Sequence, residues 1–325
     1  MTQNLQTVCD NFIKNRDIIK SVFKFENAHF LAICASYLAS KGIIADAAKL
    51  KEQNKLFDEQ AGIFSAFRGN PHLPVLMILY ADSGDEYKYS DIEEIYKKLK
   101  KEFAGTAHLA LAAAMISDMT TPELADRIAE RAKVIYKLMS KEHPFLTGVD
   151  DYLYAILMAF SNKPDHALSE DMEECYEILR EKYSSSNYSQ CVSQIFALTD
   201  GNNAEKCQKL NDLFDMLREN GKKYSKYWEL SVLAALSLLN NDTKKLCDDI
   251  IEVDSFLEGQ AGYGTFGMPK TTRLMHAALL VSCEYKSQML IHQSAASSVI
   301  AMVAAQQAAL CTVIAAQAAA STAVY

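Results

Sequence analysis

Asp91-Ile92-Glu93-Glu94-Ile95-Tyr96-Lys97-Lys98-Leu99-Lys100-Lys101-Glu102-Phe103 is answered 80 residues later by Asp171-Met172-Glu173-Glu174-Cys175-Tyr176-Glu177-Ile178-Leu179-Arg180-Glu181-Lys182-Tyr183. Five of the thirteen positions are identical, and most of the others are chemically close. In the first copy Ile92, Ile95, Tyr96, Leu99 and Phe103 fall at i, i+3, i+4, i+7 and i+11, which is one apolar stripe of a helix. A fixed period sets the architecture before any motif is considered, because such units bury their apolar faces only against their neighbours.

The period extends outward from this helix. Ala28-His29-Phe30-Leu31-Ala32 resembles Ala107-His108-Leu109-Ala110-Leu111 at an offset of 79, and each opens an apolar helix rich in small residues. A third helix at Tyr188 to Leu198 sits where the next copy begins. Charged amphipathic helices follow at Ile44 to Phe67, Pro122 to Lys141 and Ala204 to Asn220, with Pro122 suited to a first turn after Thr121. Apolar helices come next at Leu73 to Ala81, Asp151 to Phe160 and Tyr227 to Leu239. The third copy of the opening helix is degenerate, at Thr243 to Leu257. A further helix, Leu5 to Phe23, precedes the first copy.

Each unit is thus four helices, or two hairpins of about 40 residues, the size of the helical-repeat families. The expected fold is all-α: an α/α helical-hairpin, solenoid-like array over residues 1–286. Its approximate units are 27–105, 106–185, 186–258 and a partial 268–286. The tetratricopeptide pattern is missing, and Trp228 is the single tryptophan. The competing reading is an irregular helical domain whose Glu/Lys/Leu-rich helices imitate a repeat.

Composition supports helices and limits partners. Glycine and proline number only 12 and 6, while half of the 325 residues are hydrophobic. No strand alternation is visible. A net charge of -8 argues against a nucleic-acid partner, which needs a basic surface to displace counterions. The eight cysteines are widely spaced without a C-x-x-C pair, as expected for buried free thiols in a reducing compartment. The N-terminus carries neither a basic nor an apolar leader region, so a cytoplasmic location is expected.

Lys286 is the last charged residue, and 287–325 is rich in Ala, Ser, Val, Ile and Gln. Alanine favours a long helix or helical hairpin there. One reading packs it within the array, and a second makes it a self-association surface for a homo-oligomer. A third, a membrane anchor, has the length but is opposed by Gln306, Gln307, Gln317 and His292 and by the missing basic flank.

Three constellations could carry chemistry. In His143-Pro144-Phe145-Leu146-Thr147-Gly148-Val149-Asp150-Asp151, His143, Asp150 and Asp151 offer a metal site or an acid–base pair. The plainer reading is a turn with a Thr147-x-x-Asp150 capping box. In the second, Gly262, Gly264 and Gly267 satisfy G-x-G-x-x-G ahead of Lys270 and Arg273. No strand precedes it, so the reading is a tight or mobile loop that binds an anion or a partner, or a plain connection, rather than a nucleotide motif. The third is the seven histidines, none in H-x-x-x-H spacing; His29 and His108 read as packed, hydrogen-bonded core histidines. No cofactor or metal is implied.

The His143 to Asp151 segment, the Gly-rich loop running into Arg273-Leu274-Met275-His276-Ala277-Ala278 and the uncharged tail together resemble an uncharacterised bacterial family of about this length, known as a domain of unknown function. The resemblance implies an all-helical protein and carries no activity, cofactor or site residue. The expected function is a cytoplasmic scaffold whose concave face binds a protein or peptide partner. An enzyme or metal binder centred on His143, Asp150 and Asp151, with Arg273 or His276 nearby, is the first alternative. Membrane anchoring by the tail is the second.

Overall fold

The computed structural model describes residues 1–62, 65–184, 186–239, 242–264 and 267–291, with side chains to Tyr285. The chain forms two compact units, Ala45–Glu170 and the combination of Met1–Ile44 with Asp171–Tyr325. The latter, taken first in chain order, begins with α1 (Gln3–Val22) and α2 (Ala28–Ser40). The other unit holds α3 (Ala47–Ala61), α4 (His72–Ala81), α5 (Lys88–Leu99), α6 (Ala107–Ile116), α7 (Ala125–Glu142) and α8 (Tyr152–Met158). α9 (Asp165–Tyr183) carries the boundary. The first unit then resumes with α10 (Asn187–Ala197), α11 (Asn203–Glu219), α12 (Leu230–Ser237), α13 (Thr243–Glu258) and α14 (Lys270–Ile291). Among the described residues there is no strand.

The two helix types of the sequence become two layers. Helices α2, α4, α6, α8 and α12 are almost wholly apolar, and a helix of that kind is stable only when surrounded. Every residue of α4 from Leu73 to Tyr80 is buried, as is every residue of α8 and of α12. The odd-numbered helices bury one stripe, for example Ala125, Ala129, Ala132, Ile135 and Met139 of α7. In the second unit α4, α6 and α8 pack in a row, with α5 against α7 outside them. In the first unit α10, α12, α14 and α2 form the row, and α11 lies against α13. Of the charged helices, α1, α3, α5, α7, α11 and α13 each pack on the helix that follows. α1, which precedes the first 79-residue copy, is therefore the charged partner of α2, and both also pack on α14.

Side-chain caps fix the entry of several helices. Asn27, Asp46, Thr106, Ser186, Asn202 and Asp242 each accept a backbone N–H in the first turn of the helix they precede. Cations from neighbouring helices meet polar groups at several helix exits. Lys206 of α11 donates to Phe196 O at 2.9 Å, in the last turn of α10, and to Thr199 O at 2.7 Å, just beyond it. Arg131 of α7 reaches Ala159 O at 3.1 Å, Ser161 O and Lys163 O, and pairs with Asp165 at 2.9 Å. Lys88 of α5 joins Asp82 at 3.2 Å and Asp118, just past α4 and α6.

Two boundaries differ from expectation. α3 ends at Ala61 rather than near Phe67, because Gly62 takes the left-handed conformation at φ 61°. Pro122 opens a short 3-10 turn, Pro122–Leu124, and α7 proper starts at Ala125. The expected tail at 287–325 lies outside the described residues beyond Ile291. Among the described residues no helix is long and apolar enough to cross a membrane.

Candidate functional site

The His143 to Asp151 connection belongs to the second unit. His143 caps α7, its N–H donating to Met139 O at 2.9 Å. Asp151 is buried, and its carboxylate accepts from the Gly148 N–H at 2.7 Å. The cap is therefore made one residue later than the Thr147-x-x-Asp150 pattern suggests. Asp150 folds over the same glycine: a Cβ on Gly148 would meet its Oδ1 at 2.7 Å. Asp150 also bears on His108, whose pKa is lowered by burial and partly restored by that carboxylate. His108 Nε2 is buried with no hydrogen-bond partner among the described residues. No cluster of three or more His, Cys, Asp or Glu suited to a metal occurs among the described residues.

The glycine-rich loop belongs to the first unit and closes on itself. Met268 N–H donates to Gly262 O at 2.9 Å and Gly267 N–H to Gly264 O at 2.8 Å. Gly262 has φ 86°, and a Cβ on Gly267 would fall 2.2 Å from Gly262 O. The glycine spacing thus serves a tight backbone turn, with Lys270 exposed where α14 begins. Arg273 is buried: its Nε donates to Asp254 Oδ1 at 2.6 Å and its Nη1 to Glu258 Oε1 at 2.9 Å, which holds α14 to α13.

What the turn delivers is Tyr263, which is 1% exposed. Its hydroxyl lies 2.6 Å from His276 Nδ1, and His276 Nε2 lies 2.8 Å from His29 Nδ1. With Tyr263 as donor, His276 carries its proton on Nε2 and donates to His29, which then keeps its own proton on Nε2. The two imidazoles stack with centroids 4.9 Å apart. Burial lowers the His29 pKa to about 4. It lowers His276 well below the ordinary value, with His29 and Arg16 adding to it. Arg16, also buried, sits 5.7 Å over the Tyr263 ring and pairs with Asp17 at 2.8 Å. The result is a neutral, fully packed hydrogen-bond chain tying α2, α14 and the loop together.

The open concavity lies elsewhere, in the second unit. A groove of about 580 Å³ is lined by Met119, Leu124, Arg127, Ile128, Val134 and Phe160, with Glu130, Arg131 and Asp165 at its polar side. Leu124 and Val134 are 50% and 49% exposed. Arg131 is fixed by the carbonyls described above, whereas Arg127 and Glu130 are exposed and make no ion pair among the described residues. No residue of this groove stood out in the sequence. The one available signal was Leu124 and Val134 lying off the buried stripe of an otherwise charged helix.

No curated protein and no solved structure matches the chain. Residues 15–309 match the family model described as "Protein of unknown function (DUF4003)". The chain, all-helical among its described residues, belongs to that family.

Proposed function

We propose that this chain is a non-enzymatic helical-hairpin scaffold that binds a peptide segment of a protein partner along α7. The observation that carries the reading is the groove in which Leu124 and Val134 stay half exposed beside Ile128 and Phe160. Apolar side chains held open on a rigid helix suit the anchors of a docked peptide. Arg127 and Glu130 supply one charge of each sign at the rim, so the partner carries an acidic and a basic residue around its apolar anchors. The rim charges set orientation more than affinity. The net charge of -8 speaks against nucleic acid as the partner. We read the location as cytoplasmic; in support, seven free cysteines occur among the described residues, six of them buried.

The test is selection from a random peptide library against the whole chain. Recovered peptides should share apolar anchors flanked by opposite charges, and Leu124→Asp or Val134→Asp should abolish their binding without loss of helix content. Peptides that bind both variants as well as the unaltered chain would sink the proposal.

A further inference from the structure

Two of the edge-to-face aromatic pairs in this fold receive lysine ammonium groups. Phe103 and Tyr136 meet at 5.9 Å and 81°, and Lys133 Nζ lies 5.2 and 5.6 Å from their centroids. Tyr183 and Phe214 meet at 5.4 Å and 80°. Lys182 and Lys226 both stand over that pair, each 5.7 or 5.8 Å from the two centroids. The cause is electrostatic: a ring face carries the negative part of the quadrupole, and two rings at right angles present it to one point.

A third corner of the same kind stands on the first unit. Tyr188, in the first turn of α10, meets Trp228 at 4.8 Å and 79° and Tyr227 at 5.5 Å and 77°. No described lysine or arginine lies over these rings. Tyr227 is 64% exposed, while Tyr188 and Trp228 are half-buried, so the corner opens to solvent. Glu229 follows Trp228 and makes no ion pair among the described residues. Burial pushes the Tyr188 phenol up, and Tyr227 and the Glu229 carboxylate push it further.

We propose that Tyr188, Tyr227, Trp228 and Glu229 form a binding site for a trimethylammonium group. The lysines of the other two corners are tethered by the fold. An untethered primary ammonium would have to shed strongly held water, whereas a methylated one keeps its charge, is weakly hydrated and lays apolar methyls against the rings. Glu229 supplies the compensating charge.

Trp228 is the single tryptophan of the chain, so its fluorescence reports this corner directly. The full-length protein is titrated at constant ionic strength with tetramethylammonium, choline and the uncharged isostere 3,3-dimethylbutan-1-ol. Saturable quenching or a spectral shift is expected with both cations, roughly tenfold weaker with the alcohol. Tyr188→Ala should abolish the response. Glu229→Gln, which leaves the rings in place, should weaken it several-fold while the far-ultraviolet dichroism is unchanged. A peptide bearing trimethyl-lysine and phosphatidylcholine vesicles form two further arms. Tighter binding of either than of choline supports the site and names its source as a methylated chain or a lipid headgroup, and no gain over choline supports a small molecule. A response to the alcohol equal to that of the cations, or no saturable response to either cation, overturns the proposal.

Discussion

His29 Nδ1 lies 2.8 Å from His276 Nε2, although the two residues are 247 positions apart in the chain. The contact joins the first turn of α2 to the second turn of α14, and Tyr263 closes it from the glycine loop. Both rings are neutral because burial opposes the charged form. Replacing Tyr263 by Phe keeps the ring packing but leaves His276 Nδ1 buried and unpaired. Urea denaturation should show a loss of about 1–3 kcal/mol. A change near zero would mean that the hydroxyl is not a structural partner.

The same pair sets a pH dependence. The His29 pKa falls from its ordinary 6.5 to about 4 on folding, so between those values the unfolded chain binds the extra proton. The stabilising contribution is complete above about pH 6.5 and is lost as pH falls toward 4, at up to ~1.4 kcal/mol per pH unit for each such histidine. His276, lowered further, acts in the same direction. Stability measured from pH 7 to pH 4.5 should fall, and His29→Gln should flatten the decline.

Gly267 and Gly264 belong to one motif and should respond unequally to alanine. At Gly267 the new Cβ would sit 2.2 Å from Gly262 O, a backbone atom that cannot give way. Gly264 has nothing within 4 Å. Gly267→Ala should cost about 2 kcal/mol or more, and Gly264→Ala less than about 1 kcal/mol, by chemical denaturation.

Lys206 and Lys244 make a second contrast. Lys206 is 5% exposed and holds carbonyls at and just beyond the end of α10, so Lys206→Met should cost about 2 kcal/mol. The side chain of Lys244 is 75% exposed in an i,i+4 pair with Asp248, and Lys244→Met should leave the denaturation midpoint nearly unchanged.

The repeat at Asp91 and Asp171 made the layers legible, because buried stripes and all-apolar helices are written at fixed spacing. The sequence could not show which helices pair. The period of 80 is the same whether a charged helix joins the apolar helix before or after it, and packing alone decides for the latter. The His29–His276 contact was also hidden, since the bond forms between segments 247 positions apart. The glycine spacing was legible as a tight loop, but not what it positions: a Gly262–Gly267 backbone contact sets Tyr263 in place. The α7 groove left almost no trace, because it depends on the turns after α6 and α8 lying beside Leu124 and Val134.

The peptide-binding reading is tested most directly by hydrogen–deuterium exchange of the intact chain with and without a library-selected peptide. The account predicts added protection confined to residues 119–134 and 159–165, the segments that line the groove. Protection confined to other segments, with this region unchanged, would contradict it.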